Sequence, residues 1–599
     1  MSIARNGASI WESDISFALL ATLGVLAVHA CAGFPALSNA GGDNDNLLRL
    51  VEVRDLLAGQ GWFDLHQYRM GLEGGFVIHW SRLVDAPIAA IVLAVSSLTG
   101  NMALAENVAR VAWPALLFCL TMVFIIRAAR SFAGDRAVLP AVVVGAAALY
   151  FMGIFAPGAL DHHNAQLMLT VTSLSFLLDA PVYRPAALLA GLCSALTLAV
   201  GMETAPYVAT IGVCLAMLFA FDATGERIIA MDFGLGFAGV SALVFVTTIP
   251  MQAWGQAQCD AFSTVQFVVA VLAGTGLAAI ASIEAAGSSR GRRLLSLALL
   301  GIVLGAVVLS VFPQCLSAPY AGLDSRLKAL WLDNIDEAQS LFQLVARDPG
   351  ELAARYATPL VAIVLMALRL VRGGWRRQDS LVAVLLAVAF LVSVWQVRGS
   401  TFSIALAVIP LSAWIAKWRR RAETSPSRGS VLRMAAAWLV SVNAIWSGAA
   451  GAASAAFETG AKITRDAGAD PSCQAKATFA ALGRLPDTTV LAVSNLGSPI
   501  LAYSGHRVFA GPYHRNAGGD LLAFDAFLGS DAQARSIVRD HHVGLVALCR
   551  GNPENQLFAF AAPDGFLAGL MRGSVPEWLE PVAETRGASL ELYRVRPNG

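Results

Sequence analysis

The sequence predicts a polytopic α-helical membrane protein with about thirteen transmembrane helices and a C-terminal α/β domain outside the membrane. Three observations carry this. Of 599 residues, 56% are hydrophobic and only 14% charged, at a mean hydropathy of +0.62, whereas soluble globular chains carry a charged fraction of roughly 25%. Apolar runs long enough to cross a bilayer recur throughout residues 1–451. Residues 452–599 lack such runs and alternate short strand-like segments with helical ones. A net charge of +1 supplies no basic field, so nucleic acid is excluded as a partner.

The first span, Ile15 to Leu37, contains no Asp, Glu, Lys or Arg. One arginine precedes it and no small-residue cleavage pattern follows, so it reads as an uncleaved span. Ala86 to Leu98 is apolar but short, and is read as a helix lying at the interface. Further spans start near Met102, Ala137, Ala165, Pro185, Tyr207, Met231, Val265, Leu294, Tyr356, Leu381, Thr401 and Val431. Every second connection is basic: Arg127 to Arg136, Arg184, Arg227, Arg290 to Arg293, Arg369 to Arg377, and Lys417 to Arg433. The positive-inside rule makes these cytoplasmic. The connections rich in carboxylates and histidines, 38–85 and 313–355 among them, then share the extracytoplasmic face with the C-terminal domain. In that domain TTVLAVS, HRVFAG and VGLVALC read as buried strands and DAQARSIVRDHH as a helix.

Chemistry concentrates in those external connections. Gly41 to Asp85 holds Asp43 and Asp45 at spacing two, followed by Glu52, Asp55, Asp64 and Asp85 against Arg49, Arg54, Arg69 and Arg82. Paired carboxylates at a membrane edge suit a hard divalent cation that can in turn hold phosphate; the bland alternative is a solvated, charge-balanced loop. GALDHHNAQ places Asp161, His162 and His163 where a span emerges, and a carboxylate and an imidazole at positions one and three can face a metal from one side of an extended turn. The loop 313–355 carries Leu327, Leu330, Leu332 and Ile335 as a partly amphipathic helix, with Glu337 beyond it on a segment free to reach a substrate. Glu203 and Arg398 stand at external span ends; Arg398 suits a phosphate or serves as an interfacial anchor.

Of eight cysteines, Cys31, Cys119, Cys193 and Cys214 lie in apolar runs. Cys259, Cys315, Cys473 and Cys549 lie in polar segments without zinc-site spacing, and in an oxidising compartment the pairs Cys259–Cys315 and Cys473–Cys549 become available.

Taken together, these residues resemble the catalytic subunit of oligosaccharyltransferase, of the GT-C class of membrane glycosyltransferases. The likeness runs in register along nearly the whole chain: DNDNLLR, GWFD from Gly61 to Asp64, HWSR from His79 to Arg82, Asp161-His162-His163, Glu337 in NIDEAQSL, Arg398, and SNLGSPILAYSGHRVFAG. Two departures stand out. The family's Trp-Trp-Asp signature, which reads the acceptor sequon, is replaced by Val493, Ser494 and Asn495, and an arginine ahead of the second acidic motif by Ile154.

The resemblance implies an inverting transfer of a sugar or oligosaccharide from a polyprenyl-phosphate or polyprenyl-diphosphate donor to a lipid, glycan or protein acceptor. The expected setting is a bacterial inner membrane, with the active site and C-terminal domain facing the periplasm. Asp45, Asp43 and Glu337 are the expected catalytic residues, and Arg398 and Arg82 the donor phosphate ligands. Asp45, Asp161 and His163 are expected to hold a divalent metal, Mg or Mn. The missing signature favours a rival, a mono-sugar transferase acting on lipid A or envelope polysaccharide. A transporter of lipid-linked glycans is disfavoured, because the charges cluster at one face rather than near midplane.

Overall fold

The computed structural model describes residues 7–38, 43–283, 288–317, 320–457, 473 and 475–597. The chain forms two compact units: residues 1–31, 112–318 and 336–459 make the first, and 32–111, 319–335 and 460–599 the second.

Among the described residues, eleven helices are long and apolar enough to cross a membrane, or twelve if the bent pair Arg428–Val440 and Asn443–Ala452 is one span. Each of the thirteen predicted spans falls on a helix. Two of these helices, His163–Asp179 and Pro185–Val200, have 17 and 16 residues. One helix departs from expectation. The segment read as interfacial is the 18-residue helix Arg82–Thr99, long and apolar enough to span. It begins a turn earlier than the apolar run because Ser81 caps it through the Leu83 N–H. The first helix ends at Cys31, where Gly33 and Phe34 take positive φ.

Helices Pro185–Val200, Ala223–Thr248 and Thr264–Ser282 approach closely through glycine. A Cβ on Gly191 would meet the Phe233 carbonyl oxygen at 2.3 Å, and one on Gly234 the Gly274 oxygen at 2.4 Å. Small residues let backbones pack where lipid gives no hydrophobic drive to association. Helix Ser400–Thr424 is enclosed over its first half, with every residue from Ser400 to Ser412 buried. Ion pairs tie helix ends together: Arg130 to Asp14 at 2.5 Å, Arg127 to Asp179, and Arg377 to Glu226. Asp179 closes the helix that His163 opens, so this ionic cluster lies about 25 Å from His163 at 1.5 Å per residue. Cys259 and Cys315 form a disulfide.

The second unit is built on a five-stranded sheet of β3 (Thr489–Leu491), β4 (Arg507–Val508), β5 (Val543–Cys549), β6 (Leu579–Pro581) and β7 (Leu590–Val595), preceded by the hairpin of β1 (His66–Gln67) and β2 (Phe76–Val77). Its order is β4-β3-β5-β7-β6; β3 pairs in parallel with β4 and β5, and β7 antiparallel with β5 and β6. The segment before β2 extends this sheet. Met70 bridges Val508, and the backbone N–H of Val508 donates to the Arg69 carbonyl at 2.9 Å. Gly75 is obligatory in the hairpin: its φ is +76°, and a Cβ would lie 2.2 Å from the Gln67 carbonyl oxygen. Leu47, Leu48 and Val51 of helix Asn44–Leu57 enter the same apolar core as β3, β5 and Tyr513. The predicted amphipathic helix breaks into Ser325–Leu330 and a 3-10 turn, Leu332–Asn334, because Leu327 turns into that core. Cys473 and Cys549 are disulfide-bonded.

Candidate functional site

The candidate residues are divided between the two units. In the helical unit, Asp161 stands just ahead of helix His163–Asp179. The extended turn expected here is instead a helix start. Asp161 Oδ1 accepts the His162 backbone N–H at 2.6 Å and lies 2.6 Å from His162 Nδ1. His163 Nε2 is 3.4 Å from Asp161 Oδ2, and its Nδ1 is 3.0 Å from Gln166 Oε1. Gln166 donates to Glu203 Oε2 at 3.0 Å, and His162 Nε2 lies 3.8 Å from Glu203 Oε1. Burial alone would lower the His162 pKa, but the Asp161 and Glu203 carboxylates outweigh it and push it up to about 10.

Arg398 joins this set electrostatically, its positive charge acting on Glu203 and Tyr207. It sits in the turn Val397–Gly399, where Nε donates to Gln396 Oε1 at 3.0 Å. The turn Asp336–Ala338, bearing exposed Glu337, adjoins it: the Val397 N–H donates to the Gln339 carbonyl at 2.9 Å. Asp161, His163, Glu203, Arg398 and the Glu337 turn thus belong to one neighbourhood.

The Asp161 and His163 ligand atoms fit a divalent cation. Oxygen and nitrogen ligands about 2.1 Å from an octahedral ion sit about 3 Å apart, near the 3.4 Å found here. Gln166 on the other imidazole nitrogen fixes the ring, as a supporting hydrogen bond does for metal-bound histidine.

In the second unit Asp43 is the N-cap of helix Asn44–Leu57. Its Oδ1 accepts the Asp45 N–H at 2.9 Å and its Oδ2 the Asn46 amide at 3.0 Å. The carboxylate of Asp45, in the first turn, acts electrostatically on Tyr513, whose hydroxyl oxygen lies 2.9 Å from Ser498 Oγ. Burial first, then the Asp45 and Asp43 charges, hold the Tyr513 pKa well above its ordinary value. Arg82 is held by other groups of the same unit. It is 2% exposed, with Nη1 3.1 Å from Asp85 and Nη2 donating to Gln60 at 3.1 Å and to the Asp64 carbonyl at 2.5 Å. At the place of the family's signature, Val493 is buried, and Ser494 and Asn495 donate to Glu554 at 2.8 Å each.

Sequence reading missed Gln166, although its three-residue step from His163 puts both on one helix face. It also missed Tyr513, for which no local signal exists.

No protein-family model matches the sequence, and no curated protein is similar to it. Solved structures are similar. An archaeal oligosaccharyltransferase, AglB from Archaeoglobus fulgidus in complex with an inhibitory peptide and a dolichol-phosphate, superposes with a TM-score of 0.62 at 16% identity, covering 88% of this chain and 69% of that one. The Archaeoglobus fulgidus enzyme tethered to an acceptor peptide containing the NVT sequon gives 0.62 at 15% identity, over 96% and 74%. Its complex with Zn and sulfate gives 0.57 at 15%, over 89% and 67%. The resemblance carried by the short motifs is therefore found again in the architecture, and the chain shares the GT-C membrane fold of archaeal oligosaccharyltransferase.

Proposed function

We propose that the protein transfers a sugar or oligosaccharide from a polyprenyl-phosphate- or polyprenyl-diphosphate-linked donor to an acceptor on the extracytoplasmic face of the membrane, with inversion at the anomeric carbon. The observation that carries this reading is the gathering of Asp161, His163, Glu203 and Arg398 at helix ends of a GT-C fold.

Asp161 and His163 would hold Mg²⁺ or Mn²⁺, which supplies positive charge to the phosphate that leaves. Arg398 is assigned to the donor phosphate, which its planar fork matches. Asp45, its backbone fixed by Asp43, takes the proton from the acceptor as the acceptor atom bonds to the anomeric carbon. The carbon–oxygen bond to phosphate breaks with its electron pair on the phosphate oxygen. Glu337, exposed beside the Arg398 turn, holds the acceptor. Arg82, enclosed by Asp85, Gln60 and the Asp64 carbonyl, is assigned to holding the loop rather than the donor.

The acceptor divides two readings. The AglB structures contain peptides, but here Ser494 and Asn495 are tied to Glu554 where an indole-walled pocket would stand. That favours a lipid or glycan acceptor, as in a mono-sugar transferase modifying lipid A or envelope polysaccharide. For orientation, the disulfides Cys259–Cys315 and Cys473–Cys549 support an oxidising compartment, the periplasm of a bacterial cell.

Mass spectrometry of envelope glycans and lipids from a deletion strain tests the proposal. One modification is expected to vanish and to return with the wild-type chain but not with Asp161→Asn. An unchanged envelope, or full rescue by Asp161→Asn, overturns it.

A further inference from the structure

Glu203 reaches both expected metal ligands of the helical unit through an intermediary side chain. Its Oε1 lies 3.8 Å from His162 Nε2, and His162 Nδ1 lies 2.6 Å from Asp161 Oδ1. Its Oε2 accepts from Gln166 Nε2 at 3.0 Å, and Gln166 Oε1 lies 3.0 Å from His163 Nδ1. The turn Met202–Thr204 that carries it is tied down: Thr204 Oγ1 donates to the Thr197 carbonyl at 3.0 Å, and Thr197 Oγ1 to the Gln166 carbonyl at 3.2 Å. The sequence also keeps space for the Glu203–Gln166 contact. Gly201 has φ −174°, extended backbone open to any residue, but a Cβ there would lie 2.2 Å from Gln166 Nε2 and 2.5 Å from Glu203 Oε2.

These contacts decide a tautomer. A carboxylate only accepts, so the Gln166 atom facing Glu203 is the amide nitrogen and the atom facing His163 is the oxygen. An amide oxygen also only accepts, so the neutral His163 ring carries its proton on Nδ1. Nε2 is left with its lone pair, 3.4 Å from Asp161 Oδ2. A ring nitrogen that carries a proton cannot bind a metal, and the hydrogen bond made by the other nitrogen settles which one does. Gln166 by itself could face the ring with either end of its amide; Glu203 selects the end. We propose that Glu203 is a positioning residue, which through Gln166 fixes the His163 tautomer so that Nε2 is the nitrogen offered to a divalent cation beside Asp161. This rests on the transfer reading above, in which Asp161 and His163 hold that cation.

The test is Mn²⁺ binding to the full-length protein in lipid nanodiscs, followed by the electron paramagnetic resonance signal of free Mn²⁺. Asp161→Asn defines the background, and thermal scans report folding. Loss of a supporting hydrogen bond behind a metal ligand costs about 10–100-fold in affinity. Glu203→Gln, whose amide lets Gln166 turn over, is expected to weaken binding by that factor. Gly201→Ala, which keeps every charge but wedges the pair apart, is expected to do the same. In a Gln166→Met background, Glu203→Gln is expected to cost nothing further. Wild-type affinity in a folded Glu203→Gln or Gly201→Ala overturns the proposal. So does a further loss from Glu203→Gln on top of Gln166→Met, which would mark the Glu203 charge as acting directly on the ion. Where Gln166→Met does not fold, Gly201→Ala decides, because its charges are those of the wild type. A wild-type chain that binds no more Mn²⁺ than Asp161→Asn removes the cation from the transfer reading and this proposal with it, a result distinct from a wild type that binds Mn²⁺ and is indifferent to Glu203→Gln.

Discussion

Arg49 and Asp85 form an ion pair with 2.6 Å between Nη1 and Oδ1, in which Arg49 is wholly buried and Asp85 only 2% exposed. Arg82 shares the Asp85 carboxylate at 3.1 Å and reaches Glu52 at 3.5 Å, and Gln67 donates to Glu52 at 3.0 Å. This network joins helix Asn44–Leu57, whose first turn carries Asp45, to the start of helix Arg82–Thr99. It therefore sets the direction in which the acidic pair leaves the loop.

Breaking such a pair from one side leaves an uncompensated buried charge, which costs about 3–5 kcal/mol. Asp85→Ala is expected to lower the unfolding midpoint by the equivalent amount and to reduce activity by misplacing Asp45. Arg49→Met combined with Asp85→Leu is expected to recover only part of the stability, because it removes both charges of this pair but leaves the buried Arg82 without one of its two carboxylates. Thermal scans of the two variants and the wild type check both statements.

Glu52 makes the same network sensitive to pH. Burial, together with the neighbouring Asp85 and Asp55 charges, outweighs Arg82 and Gln67 and raises its pKa from 4.5 to about 8. A carboxyl with a higher pKa folded than unfolded contributes stability that is complete below the unfolded value and is lost as pH rises through the folded one. Between pH 5 and 9 the unfolding midpoint is thus expected to fall, and Glu52→Gln is expected to flatten that slope. An equally steep slope in the variant would show that another group is responsible.

The spans were legible because an apolar run of some 20 residues is a local signal that lipid enforces. The helix Arg82–Thr99 was read too short for a related reason: hydropathy counts Arg82 and Asp85 as charges, whereas the fold pairs them with each other and with Arg49. Asp161 and His163 were legible as neighbours in sequence; Glu203 and Arg398 were visible only as isolated span ends. Tyr513 was not legible at all, since its place in one core with Leu47 and Leu48 joins segments far apart in the sequence. The short helix at Ser325–Leu330 shows the converse failure. Leucine spacing fitted one continuous face, but Leu327 is drawn into the C-terminal core and the helix ends after six residues.

The disulfides give a prediction independent of function. Alkylation of the unreduced, unfolded protein is expected to label at most Cys31, Cys119, Cys193 and Cys214. Cys473 and Cys549 are 76 residues apart, and removing a native bridge of this kind costs about 2–5 kcal/mol. Cys473→Ser is expected to lower the melting temperature to that extent, and reductant to have no further effect on that bridge. Labelling of all eight cysteines before reduction would remove the argument for an oxidising compartment.

The sharpest catalytic prediction concerns residues placed in different units. Asp161→Asn and Asp45→Asn are each expected to reduce release of polyprenyl phosphate by about 10²–10³, the scale of losing one preorganised group at developing charge. If the two act as one unit, the double variant will be no slower than the slower single variant, because groups acting as a unit are far from additive. Multiplied losses would mean that the two carboxylates contribute independently. Arg398→Lys distinguishes phosphate recognition from anchoring at the interface. A lysine keeps the charge but not the fork, so a phosphate role predicts a large rise in donor KM, whereas an anchoring role predicts wild-type kinetics.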